Sequence, residues 1–183
     1  KMLRLLIATL LLGSALFASD TATKAKESMQ QLGKNLKGEL KAKFKEDPSG
    51  VKAIEYCSLQ AQDITEEVNS KLDSDVEVRR TALKYRNEKN EPTFQDIDVM
   101  LEFQARAKDG ESFQEMTKVV ETDEKTYVYK ALGVGKGCLK CHGDVNNIDK
   151  EILSIIDKHY PNDRARNFNK GELRGAIVAE IKK

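Results

Sequence analysis

Hydrophobic positions recur at intervals of three and four over residues 22–45, placing Met29, Leu32, Leu36, Leu40 and Phe44 on one side of a helix with lysine-rich flanks. The run Asp47-Pro48-Ser49-Gly50 breaks it. A second helix is predicted over 51–72, where the stripe Ile54, Cys57, Ala61, Ile64, Val68 and Leu72 turns Cys57 inward. The period then changes. Val76 and Val78 alternate with Glu77 and Arg79, a strand running toward Leu83, and 86–92 is loop chemistry. A helix over 94–107 is expected to bury Ile97, Met100, Leu101 and part of Gln104, ending near Asp109-Gly110. Two strand-like runs, 112–121 and 126–132, joined by the turn 122–125, read as a hairpin. Ile148, Ile152, Ile155 and Ile156 give another helix, stopped at Pro161. The clean alternation of Leu173, Gly175, Ile177, Ala179 and Ile181 predicts a closing strand with one buried face. Strands interspersed with helices make an α+β domain, not a helical bundle.

At 183 residues the chain suits one domain, and 31 basic against 30 acidic residues leave no global field for steering onto nucleic acid. The front is different in kind. Lys1 and Arg4 precede an apolar run over 5–12 and then small residues to Ala18, the three zones of an export signal. The run is short for a bilayer span, so cleavage near Ala18 is favoured over a retained anchor. Export to a periplasm is the expectation.

Export gives weight to the three cysteines, Cys57, Cys138 and Cys141, because an odd number cannot form a closed disulfide set. Cys138-Leu139-Lys140-Cys141-His142 is the attachment pattern of c-type haem. Two thiols at this spacing reach the two vinyl edges of one porphyrin, and the adjacent imidazole is delivered to the iron. A thioredoxin-like redox pair, a zinc site recruiting Cys57 or His159, and a simple disulfide compete with it. None of these uses the glycine-rich flanks and His142 as well. No Met follows His142, which excludes small cytochromes that place a Met ligand after the motif.

The segments 53–57, 78–87 with Asn90 and Pro92, 138–143, 160–163 and 171–176 occur in an order that resembles a periplasmic c-type haem family with a PAS-like fold, known as stand-alone exported proteins and as sensor domains. The resemblance covers residue 53 to the end. It implies a PAS-like antiparallel sheet with flanking helices, preceded here by a long N-terminal helix. Together with the residue patterns before it, the expected division is 1–18 signal, 19–48 amphipathic helix and 49–183 PAS-like haem domain. It further implies one covalent haem, with His142 on one side of the iron and the thiolate of Cys57 on the other. Ala82 and Glu88 depart from the family's usual Ser and Pro. An inward thiol on a helical stripe is ordinarily a small core residue. The odd thiol count and the exported compartment favour Cys57 as ligand, with Met29, Met100, Met116 and His159 as rivals.

The basic cluster Arg79-Arg80, Lys84 and Arg86 offers candidate partners for the haem propionates, or else is solvated surface charge; Arg79 and Arg80, neighbours on a strand, lie on opposite faces, so at most one of them faces the haem directly. Tyr127 and Tyr129 are candidate pocket wall, or ordinary sheet residues. Nothing resembles a catalytic triad, a paired-carboxylate site or a phosphate loop, so no enzymatic turnover is expected. A thiolate ligand favours ferric iron, and its loss on reduction would open a site for CO, NO or another small gas. The function expected is therefore a redox- or gas-sensing haem protein, with a low-potential electron carrier as the alternative. Either needs a partner protein that the sequence does not identify, and the N-terminal helix leaves a homodimer open.

Overall fold

The computed structural model describes the chain from Met2, with side chains from Asp20 onward, so the expected export segment 1–18 lies outside the residues whose side chains are described. The elements run α1 (Met2–Glu46), α2 (Val51–Asn69), β1 (Val76–Thr81), α3 (Phe94–Lys108), β2 (Thr117–Glu121), β3 (Lys125–Gly133), α4 (Leu139–His142), α5 (Lys150–His159) and β4 (Leu173–Lys182). The four strands form one antiparallel sheet in the order β1-β4-β3-β2. Helices flank it, and the fold is α+β as the pattern predicts. Among the described residues no helix is long and apolar enough to cross a membrane.

The sheet separates two cores. On one face Ala25 and Leu32 of α1 and Val68 of α2 pack on Val76, Val78, Ile177, Ala179 and Ile181. On the other, Val99, Met100 and Phe103 of α3 pack on Tyr129, Ala131, Ala176 and Val178. β4 lies between two strands and beneath helices on both sides, so nearly every residue of it is buried. The small residues between its alternating positions are inside as well: Ala176 and Val178 are as fully covered as Ala179. Small side chains suit such a strand, because bulk on both faces would lift the helices away. Gly175 answers a separate need. Its φ is +157°, and an added Cβ would lie 2.4 Å from the Thr81 carbonyl oxygen.

Three further expectations change. The buried face of α3 is Asp96, Val99, Met100 and Phe103, while Leu101 is 51% exposed and Gln104 is exposed. The charged Asp96 hid this stripe from a hydrophobicity count. β2 begins at Thr117 rather than at residue 112. Finally, the expected boundary between 48 and 49 is a tight turn inside one packed unit, because α1 supplies part of the first core. Asp47 builds that turn by accepting from the Ser49 hydroxyl and the Lys52 amide, which hold its carboxyl down at about 2. Ala25 and Leu32 of α1 cover Val76, Val78, Ile177 and Ile181, which truncation before Asp47 would expose.

Asp96 fastens α3 to the sheet. Its carboxylate accepts from the Thr93 amide in a capping box, from both terminal nitrogens of Arg79 at 2.9 Å, and from the Tyr129 hydroxyl at 2.8 Å. Arg79 also reaches Glu180 at 2.6 Å. Desolvation opposes ionisation of Asp96, but Arg79 and the Thr93 amide outweigh it and hold the carboxyl below its ordinary value. A depressed folded-state pKa contributes stability above the unfolded value near 3.8 that is lost as pH falls through the folded value. We predict that Asp96→Asn costs about 3–5 kcal/mol in urea unfolding at pH 7, because Arg79 is left without its main partner. The gap to the parent should narrow in acid; an equal deficit at low pH would show that the charge is not the cause.

Candidate functional site

The motif is carried on a 3-10 turn, Lys136–Cys138, that runs into the single turn of α4. The three cysteines are unbridged. Cys138 is exposed and accepts from the Gly135 amide at 3.3 Å, while Cys141 turns inward. Cys57 of α2 and Cys141 pack against the same cluster, Ile54, Ile148, Ile152 and Ile156, which joins α2 to α5. The thiols of Cys57 and Cys141 are raised by burial, Cys141 to about 11, and Arg86 opposes the rise at both. Gly143 must follow His142: its amide donates to the Leu139 carbonyl, and an added Cβ would lie 2.5 Å from that oxygen.

His142 is fixed by a carbonyl. Its Nδ1 lies 2.8 Å from the Ala165 carbonyl oxygen, which only accepts, so Nδ1 carries the proton and Nε2 keeps a free lone pair. The Phe168 ring meets the imidazole edge-on at 6.2 Å. Burial, with Arg174 and Arg86 nearby, keeps the imidazole pKa well below its ordinary value and the ring neutral. A neutral imidazole with one nitrogen donated to a carbonyl is a ligand-ready form.

The loop holding Ala165 is itself organised by a buried ion pair between Arg86, a member of the basic cluster read from the sequence, and Asp163, which was not singled out. Arg86 donates to Asp163 at 3.1 and 3.2 Å, to the Cys141 carbonyl at 2.6 Å and to the Ala165 carbonyl at 3.2 Å. Asp163 accepts in turn from the Ala165 amide and from Arg166. One guanidinium thus binds the motif backbone and the carbonyl that orients His142. The signal was present, since Arg86 and Asp163 lie within the segments 78–87 and 160–163 that carry the resemblance.

Arg80 and Arg79 part company as alternation predicts. Arg80 turns to α2, where it donates to the Ala61 carbonyl and is the first charged neighbour of Cys57. Arg79 turns to α3 and is matched by Asp96 and Glu180. Its charge is thus already met, on the sheet face away from α2. Tyr129 is fully buried and hydrogen-bonded to Gln95 and Asp96 in that same network. The rivals of Cys57 fall elsewhere. Met29, Met100 and Met116 belong to the two sheet cores, and His159 is exposed at the end of α5. Among the described residues no three His, Cys, Asp or Glu side chains gather into a metal-binding set.

Two buried side-chain atoms have no hydrogen-bond partner among the described residues, and both flank Cys57: the Tyr56 hydroxyl and Nε of Arg80. Each such orphan costs about 1–3 kcal/mol. Arg174 adds a third uncompensated group. Its one hydrogen bond goes to the Lys84 carbonyl, and burial together with Arg86 pushes its pKa down to about 10. Arg80, Arg86 and Arg174 are thus the charged neighbours of Cys57, Cys141 and His142. Cys138 and Arg174 also line a groove of about 2300 Å³ that runs along α1 and over β2 and β3.

An α+β domain that presents a free Cys-x-x-Cys-His turn, a third thiol beside it and unpaired buried cations defines a class of small proteins organised around one such site. The chain belongs to the Tll0287-like family, whose model matches residues 13–181. It is similar to the crystal structure of the cyanobacterial heme-protein Tll0287, at 26% identity over 69% of this chain and 71% of that one, with a TM-score of 0.57. No curated protein matches the chain.

The Arg86–Asp163 pair gives a direct test of this geometry. Arg86 is 9% exposed and the Asp163 carboxylate is fully buried, so Arg86→Leu or Asp163→Asn should each cost about 3–5 kcal/mol in chemical unfolding. The double variant should lose much less than the sum of the two. Strict additivity would show that the two side chains do not act as a pair.

Proposed function

We propose that the chain is an exported haem protein holding one c-type haem, attached through Cys138 and Cys141 and ligated by His142 and Cys57. The observation that carries the reading is the grouping of Cys57, Cys141 and His142 with the cations Arg80, Arg86 and Arg174, next to the exposed Cys138 of the same motif. The residues fit the group. Arg80, with its orphaned Nε, and Arg174, with no carboxylate of its own, suit the two propionates, and Tyr56 offers a further donor. Family membership and the likeness to a cyanobacterial heme-protein support the same reading. The sheet order and the helices on both faces support a PAS-like description.

Bound here, the haem supplies a one-electron couple and, where an axial position is open, a site for a diatomic gas. The chain's own residues define what can be done with it. The Ala165 carbonyl holds the ring of His142, Arg86 holds that carbonyl, and Cys57 sits on α2, so a change at the thiol is felt along a helix that packs on α1, β1 and α5. We favour a redox or gas sensor acting in the periplasm through a partner protein, without turnover chemistry. The exposure of Cys138 at the groove favours a second reading, a low-potential electron carrier. Ferric and ferrous absorption spectra separate the two, since a carrier keeps its ligands in both states.

Protein matured with haem-attachment machinery should stay coloured through denaturing electrophoresis, and Cys138→Ala with Cys141→Ala should lose that colour. Loss of haem from the parent protein under the same conditions would defeat the covalent reading. Cys57→Ala should keep the covalent haem, abolish the low-spin thiolate-type ferric signal and raise the reduction potential. Arg80→Gln and Arg174→Gln should each lower the potential by removing a nearby positive charge, whereas Arg79→Gln should act on stability and leave the potential in place.

A further inference from the structure

The groove that leads away from Cys138 has a charge imbalance that the haem site does not explain. On α1, Lys34, Lys37 and Lys41 fall at helical spacing on the side facing it, and Lys170 stands across the opening near Arg174. These four lysines are exposed and make no ion pair among the described residues. The carboxylates lining the groove are committed elsewhere. Asp20 and Asp75 pair with Lys24, Glu121 pairs with Lys183, and Glu111 pairs with Arg106. The half nearest Cys138 is therefore cationic around an apolar floor that includes Leu132 and Ile177, although the whole chain is nearly neutral.

We propose that this cationic mouth is a docking surface for a partner protein that presents an acidic patch. Charge complementarity makes the argument: uncompensated lysines on one side of an otherwise balanced molecule orient an encounter and set its rate, while the apolar floor excludes water once contact is made. The position also suits the site, because Cys138 is the exposed member of the motif and lies at the same end. That the partner exchanges electrons or receives a signal rests on the haem reading. The docking itself does not.

The test uses the full-length, matured protein and fluorescein-labelled poly-L-glutamate as the acidic probe, followed by anisotropy at low salt. The variant Lys34→Glu/Lys37→Glu/Lys41→Glu should weaken binding by about tenfold or more, and parent binding should fade as salt is raised. A control with the same change in net charge, Lys108→Glu/Lys150→Glu/Lys158→Glu, should bind within about twofold of the parent. Equal losses in the two variants, or no binding by the parent, overturns the proposal. Binding to phosphatidylglycerol vesicles without binding to poly-L-glutamate overturns it in favour of a membrane surface. Colourless protein that still binds the probe removes the haem reading and leaves the docking surface standing; coloured protein that fails to bind does the reverse.

Discussion

The Arg86–Asp163 pair is the constraint on which the site depends. A guanidinium with only 9% of its surface exposed must find acceptors for most of its protons, and Arg86 finds them in one carboxylate and two backbone carbonyls. Those carbonyls belong to Cys141 and Ala165, so meeting the demand of one charge fixes the motif turn against the loop that orients His142. The carboxylate is equally occupied, since Asp163 also holds the Ala165 amide and Arg166. Neither residue has to touch a ligand for the ligand geometry to depend on it. In a buried network of this kind the loss of one member strands the others, which confers specificity more than net stability.

The sheet lets this network coexist with a second one of opposite character. β1 places Arg79 and Arg80 next to each other in sequence and on opposite faces. On the α3 side the cation is answered in full by Asp96 and Glu180, and Lys125 completes the balance at Glu180. That side reads as architecture: every charge has its partner and the surrounding core is dense with Phe103, Met100 and Met116. On the α2 side the cations are left over.

Much of this could be read from the sequence, and the failures have definite causes. Period and breaking residues located α1, α2, α3, α5 and the hairpin, because 3.6- and 2-residue repeats survive as long as one face is apolar, while the single turn of α4 is too short to show a period. They did not show that β4 is covered on both faces, nor that the deepest residue of α3 is the carboxylate Asp96. The motif Cys138 to His142 was visible because its spacing is local. Arg86 was legible only as one of a basic cluster, and Asp163 and Arg174 were not singled out, because their roles arise from chain segments 77 and 90 residues apart that the fold brings together. The separation of Arg79 from Arg80 followed from alternation alone, but which of them faces Cys57 required knowing which helix covers which face.

That asymmetry also says where function can reside. A cation paired in the interior is held by its carboxylates in every state of the molecule, so it carries no information about a ligand. A buried cation beside Cys57 and His142 that has only neutral acceptors and no carboxylate of its own is stabilised by any anionic group that approaches it. Arg80 and Arg174 lie in that position, with the Tyr56 hydroxyl as a further unmet donor. Stability is therefore given up in the region where a carboxylate-bearing group would restore it, while the opposite face, which has no such group to receive, gives up nothing. The division of the sheet into a face where Arg79 is met by two carboxylates and a face where Arg80 has none is accordingly an indication of the binding side that the motif alone does not give.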